Sequence, residues 1–166
     1  MELRIEHEIA APLARVEAAL LGPSLLPRLP AFSASVAVAR ELTRRDRGDH
    51  VEREALYQAA FVPAALRAVI PRAWTTWIES TDWDRKRHCG QFRVEPQIPL
   101  RQRVTCRGCY ELLPLADDRT LRRISGVLQI AAPGVGRRAE AVLARVIAEQ
   151  FAGEAALLAV LAWAPA

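Results

Sequence analysis

The chain has 166 residues, is 51% hydrophobic and 25% charged, and carries a formal net charge of +4. A chain this long buries roughly 70% of the surface its unfolded form would expose, so a core can hold it without disulfide or metal staples, and its composition excludes wholesale disorder. Every basic residue but Lys86 is an arginine, and those at 44, 45, 47, 85 and 87 alternate with Asp46, Asp49, Asp82 and Asp84 at expected turns, which argues against a basic stripe for nucleic acid.

The first element is a strand: Leu3, Ile5, His7 and Ile9 alternate with Arg4, Glu6 and Glu8, the period-two pattern of a sheet with one buried face. Pro12 sits where a first helical turn tolerates proline, and residues 12–21 and 23–29 read as two short helices separated by Gly22-Pro23. A second strand at 33–45 and a third at 50–60 flank a turn at 46–49, and so predict an antiparallel hairpin. Strands at 73–83, 86–95, 102–113 and 119–131 follow, separated by Asp84-Arg85, by Pro96 to Leu100 and by Pro114 to Asp118. Every connection is short enough for an antiparallel meander. Residues 134–163 then repeat apolar side chains at helical spacing without an internal proline.

These elements predict an α+β protein in which a curved antiparallel sheet of about seven strands, two short helices and a long C-terminal helix enclose a cavity. Such hollows usually hold a small hydrophobic molecule. No linker-like stretch divides the chain, so residues 1–166 are expected to form a single domain. The first ten residues lack the pattern of a signal peptide, and no uninterrupted apolar run approaches membrane-span length, so a soluble, cytoplasmic protein is expected.

Strand, two small helices, six strands and a long terminal helix resemble the helix-grip arrangement of the START-like superfamily, which includes birch-pollen-allergen-type lipid carriers and polyketide cyclases. The resemblance spans nearly the whole chain. Residues Ile5 to Pro12 resemble its opening strand and proline-started helix, Trp74 to Asp84 its tryptophan-bearing central strand, and Pro133 to Glu140 its entry to the last helix. The similarity is greatest to a bacterial START-like family of unknown function. It implies one of two activities: either a lipid-like or other hydrophobic molecule is bound and transferred unchanged, or a polyketide cyclase/dehydratase-type enzyme acts on a hydrophobic substrate in the same cavity.

Site candidates come from phase. At about 100° per residue, Ala139, Leu143, Ile147, Phe151, Leu158 and Leu161 form one stripe of the long helix. Glu154 falls near its centre and Gln150 at its margin. A carboxylate on that stripe must be paired, hydrogen-bonded or neutralised. His7, Arg40, Arg53, Tyr57, His88 and Arg122 lie in phase with apolar strand neighbours and are candidates to answer it. This reads either as the polar end of an apolar pocket or as a Glu-Arg pair closing a cavity floor. Tyr57, Trp74, His88, Arg122, Gln150, Phe151, Glu154 and Leu158 are therefore the expected ligand contacts. In the enzyme alternative, Tyr57, His88 and Glu154 would handle protons, and Arg53 or Arg122 would anchor a carbonyl.

On the strand at 73–83, Trp74 lies on one face and Trp77 and Trp83 on the other. The apolar segment from Phe61 to Ile70, bounded by Pro71, could lid the entrance, touch a bilayer transiently during ligand exchange, or simply plug the sheet. Cys106 and Cys109 point to opposite faces of a strand and suit neither zinc nor redox chemistry, whereas a hairpin folded about residue 99 would make Cys89 and Cys109 cross-strand neighbours. The three histidines lack ligand-like spacing. Neither a metal nor a cofactor is expected.

Overall fold

The computed structural model describes residues 1–64, 67, 75–99, 101–131, 134 and 136–164. The alternating segments become β1 (Glu2–Ile9), β2 (Val36–Asp46), β3 (His50–Ala59), β4 (Thr76–Asp84), β5 (Cys89–Pro96), β6 (Val104–Ala116) and β7 (Arg119–Ile130). The helices are α1 (Leu13–Leu21), α2 (Leu25–Arg28), followed at once by a 3-10 turn (Leu29–Ala31), and α3 (Gly136–Leu161). The strands form one antiparallel sheet in the order β1-β7-β6-β5-β4-β3-β2. This is the helix-grip arrangement: consecutive strands pair as hairpins, and β1 closes the far edge against β7.

Several boundaries differ from the sequence reading, β2 for example starting at Val36 rather than 33, and two of the differences have a clear local reason. β5 starts at Cys89 because Asp84 Oδ1 accepts the N–H groups of Lys86 (2.9 Å) and Arg87 (3.1 Å) and folds the turn, which His88 completes in the left-handed region at φ 51°. β6 runs through Pro114, expected in a loop, to Ala116. The register shifts between those two residues, as suits a proline with no N–H for the ladder.

The hairpin of β5 and β6 pairs Gly90 with Tyr110, so Cys89 faces Glu111 and Cys109 faces Gln91. The expected Cys89–Cys109 pairing is therefore corrected. The hairpin centre lies one residue further along, and a one-residue shift of the centre slides each cross-strand partner by two.

α3 lies across β1 and β7 and also touches α1 and α2. Its apolar stripe is buried at Ala139, Phe151, Ala155 and Leu158, where each full Leu or Phe burial stabilises the fold by roughly 1.5–3 kcal/mol. Gly153 permits a close approach, since a Cβ there would collide with the carbonyl oxygen of Phe32. One turn earlier, Glu149 accepts hydrogen bonds from Ser33 Oγ (3.1 Å) and the Ala34 N–H (3.1 Å). These contacts pin the helix in the rotation that turns Glu154 toward the sheet.

Candidate functional site

The inward face of the sheet is not uniformly apolar. Period-two alternation turns Val51, Arg53, Ala55 and Tyr57 of β3 to the same side, together with Glu79 of β4, Tyr110 of β6 and Arg122 of β7, all of them buried. Phe151 and Glu154 of α3 face them from above and are also buried, as is Gln150 on the same helix. Two arginines, two glutamates and two tyrosines thus share one end of the sheet–helix interior.

Arg122 is the most enclosed of these, only 1% exposed. Its Nη2 lies 3.0 Å from Glu154 Oε2, and its guanidinium carbon lies 5.5 Å from the Tyr110 ring and 5.3 Å from the Phe151 ring. The aromatic faces favour the cation, and the carboxylate supplies its counter-charge. Yet Nε, Nη1 and Nη2 make no hydrogen bond of good geometry. On β1, paired residue for residue with Arg122, His7 likewise has a buried Nδ1 without a partner. Burial and then the Arg122 charge hold His7 below its usual range, so its ring is neutral near pH 7.

Arg53 reaches the other way and donates from Nη1 to the Leu20 carbonyl oxygen at 3.1 Å, satisfying the C-terminal end of α1. Burial opposes its charge, but Tyr57, Glu79 and Glu154 outweigh that and raise its pKa. Tyr57 stacks on Trp77 with ring centres 5.4 Å apart. The Tyr110 hydroxyl donates to Glu79 Oε2 at 3.0 Å. Burial, with the Glu154 charge added, pushes the Glu79 carboxyl up to about 7 against the opposing pull of Arg53, the Tyr110 hydrogen bond and Arg122. Both tyrosines are held well above their ordinary range by burial and by Glu79, and remain protonated donors.

The space among these groups is small. Leu20, Arg53, Glu79, Trp83, Tyr110 and Glu154 are among the residues bounding a void of about 10 Å³, room for one water. This void, walled by Leu20 and Leu21 of α1 among others, is far smaller than the ligand-sized hollow expected from the element order. A wider concavity of about 1040 Å³ lies on the opposite, solvent-facing side of the sheet. Several of its charged side chains have partners: Thr43 bonds Glu54, Arg47 pairs with Glu52 and Arg93 with Glu95. The buried set is the stronger candidate, because its polar atoms are dehydrated and incompletely paired.

Of the residues singled out from the sequence, Tyr57, Arg122, Gln150, Phe151, Glu154 and Leu158 are all buried, and Arg122 contacts both Glu154 and Phe151. His88 is not: it is 40% exposed at the turn between β4 and β5, with Nδ1 3.0 Å from Glu17 Oε1, which also accepts from Trp83 Nε1 at 2.9 Å. Its placement follows from the left-handed turn, which takes it out of strand phase. Trp74 lies outside the described residues, as do residues 65, 66 and 68–70 of the segment from Phe61 to Ile70. Glu79 and Tyr110 were missed. Their signal was parity alone, Glu79 lying in phase with Trp77 and Trp83 and Tyr110 with Cys106. No group of acidic, histidine or cysteine side chains among the described residues could hold a metal ion. No described helix is long and apolar enough to cross a membrane.

Solved structures share this architecture. TTHA0849 from Thermus thermophilus aligns with a TM-score of 0.70 at 16% identity, covering 98% of this chain and 97% of that one. The Zhui aromatase/cyclase from Streptomyces sp. R1128 aligns at 0.68 and 15% identity, covering 98% and 93%. Norcoclaurine synthase from Thalictrum flavum, in complex with dopamine and hydroxybenzaldehyde, aligns at 0.59 and 15%, covering 92% and 84%. At these identities the likeness establishes the START-like helix-grip fold alone. No curated protein sequence matches the chain. A family described as protein of unknown function (DUF2505) matches residues 4–161, and the chain therefore belongs to the DUF2505 family.

Proposed function

We propose that this protein binds a hydrophobic small molecule between the sheet and α3, with the molecule's polar end at Arg122, Glu154, Tyr110 and Glu79 and its apolar body against Phe151, Leu158 and the Tyr57–Trp77 stack. The observation that carries the reading is Arg122, a fully buried cation whose guanidinium nitrogens lack well-aligned acceptors. A core under selection for stability alone gains little from such a group, because a buried ion pair is often no better than apolar residues of the same volume. Norcoclaurine synthase, which shares the fold, is solved in complex with dopamine and hydroxybenzaldehyde, and that precedent supports the reading. Because the void beside these polar groups is water-sized and walled by Leu20 and Leu21, a ligand enters there by displacing that end of α1. In the apolar segment from Phe61 to Ile70, through which we propose that exchange with a bilayer takes place, Phe61 is 48% exposed while its neighbour Val62 is buried.

Native mass spectrometry of the purified protein tests this. A retained apolar molecule, absent from a folded Phe151→Trp variant, supports carriage. No retained molecule and no uptake of the neutral fluorophore Nile red would overturn it.

A second reading, a proton-transfer enzyme of the cyclase/dehydratase type, is favoured by Glu79. A carboxyl whose pKa lies near 7 with a phenol at 3.0 Å is suited to exchange a proton with substrate. Glu79 then takes the role that phase alone gave to His88, with Arg122 anchoring a carbonyl oxygen. Turnover of a linear polyketide analogue that disappears in Glu79→Gln while binding persists would select this reading over carriage.

A further inference from the structure

The charges of the interior do not balance in every protonation state. Arg53 and Arg122 supply two positive charges, Glu154 one negative charge, and Glu79 a second only when ionised. The groups facing Glu79 come from every side: Arg53 and Tyr57 on β3, Thr81 beside it on β4, Cys106 and Tyr110 on β6, Arg122 on β7 and Glu154 on α3. β5 contributes the apolar Phe92 and Val94. With Glu79 ionised the set is neutral. With Glu79 protonated it carries one net positive charge in a low-dielectric space.

A cationic head group entering here would face two fixed arginines. An anionic oxygen would instead find Arg122, whose N–H groups are open and whose position is locked by the Tyr110 and Phe151 rings. Resting on the reading of this interior as a ligand site, we infer that its ligand is a hydrophobic molecule bearing an anionic oxygen, held at Arg122, and that binding draws one proton from solvent onto Glu79. The step balances: the anion takes the place of the Glu79 charge, the carboxylate becomes a carboxylic acid, and the set returns to neutrality. Coulomb coupling is the reason, since a second negative charge close to Glu154 and Glu79 leaves the ionised form of Glu79 least supported.

The probe is 8-anilinonaphthalene-1-sulfonate, whose sulfonate stays ionised throughout, measured by calorimetry in Tris and in phosphate to count protons. Uptake should approach one proton per probe at pH 8 and vanish near pH 5.5, where Glu79 is already protonated. Affinity should weaken by up to about tenfold per pH unit above pH 7. In Glu79→Gln, whatever its affinity, proton uptake and that pH dependence should both be lost. Tyr110→Phe removes a hydrogen bond that favours the ionised carboxyl, so the window should move upward; this variant decides the matter should Glu79→Gln fail to fold. Binding by wild type at pH 8 without uptake, uptake unchanged in Glu79→Gln, or an unmoved window in Tyr110→Phe would each overturn the inference. Nile red bound where the sulfonate probe is refused would overturn it and leave the binding reading intact, whereas refusal of both probes would overturn both.

Discussion

Two arginine–carboxylate pairs in this protein make opposite use of the same chemistry. At the turn between β2 and β3, Arg85 grips Asp46 with two contacts of 2.7 Å, and the Gly48 N–H adds a third donor at 3.1 Å. That carboxylate is held well below its usual range by Arg85 and the backbone. In the interior, Arg122 meets Glu154 at a single contact of 3.0 Å and leaves guanidinium nitrogens without acceptors. The better geometry lies where water already solvates both partners and screens their attraction. The poorer geometry lies where each charge depends on the other. The difference teaches that the interior pair is poorly explained as a stabilising device, which supports the ligand site proposed above.

Breaking each pair should sharpen the contrast. Glu154→Gln leaves Arg122 buried without its counter-charge and should destabilise the protein by about 3–5 kcal/mol, read from a urea midpoint. An effect below about 1 kcal/mol would show that Arg122 finds other compensation.

The second test is pH. The folded pKa of Glu79, about 7, lies above its ordinary value of 4.5, so between those limits the folded state binds more protons than the unfolded state. Stability should therefore be greatest below pH 4.5 as far as this group is concerned, fall by up to about 3 kcal/mol as pH rises through 7, and stay level above. Denaturation midpoints between pH 5 and pH 8 should follow that slope in wild type and run flatter in Glu79→Gln.

A smaller effect is expected from Phe151→Trp, which overfills the packing beside Arg122 and should cost about 1–3 kcal/mol while reducing Nile red uptake. Smaller still is the double change Arg122→Met with Glu154→Leu, which removes both charges at similar volume. Its stability should lie within about 1 kcal/mol of wild type or above it, with binding lost. Lost stability comparable to that of Glu154→Gln would mean that the pair serves the fold after all. At the surface, Asp46→Asn should change the urea midpoint least of all, and a shift larger than that of Phe151→Trp would reverse the comparison.

What local sequence determined is what short-range sterics govern. Alternation at Leu3, Ile5, His7 and Ile9 made β1 legible, and a 3.6-residue period placed Glu154 on the buried face of α3 before any partner was known. The same parity was present at Glu79 and Tyr110, but parity says only that residues share a face, not which face is inward or what stands opposite. Those answers belong to pairing between distant strands. Arg122 meets Glu154 because β7 lies between β1 and β6 under α3, and Glu79 meets Tyr110 because β4 and β6 flank β5. Cys89 and Cys109 were separated by a one-residue error in a hairpin centre, and His88 left its strand through a turn set by Asp84. The size of the interior was likewise beyond local reading, because whether a sheet and helix enclose a ligand-sized hollow or a single water depends on how far α1 presses Leu20 and Leu21 into it. Period and phase are fixed by neighbours along the chain, whereas register, counter-charge and volume are fixed by residues that only tertiary packing brings within reach.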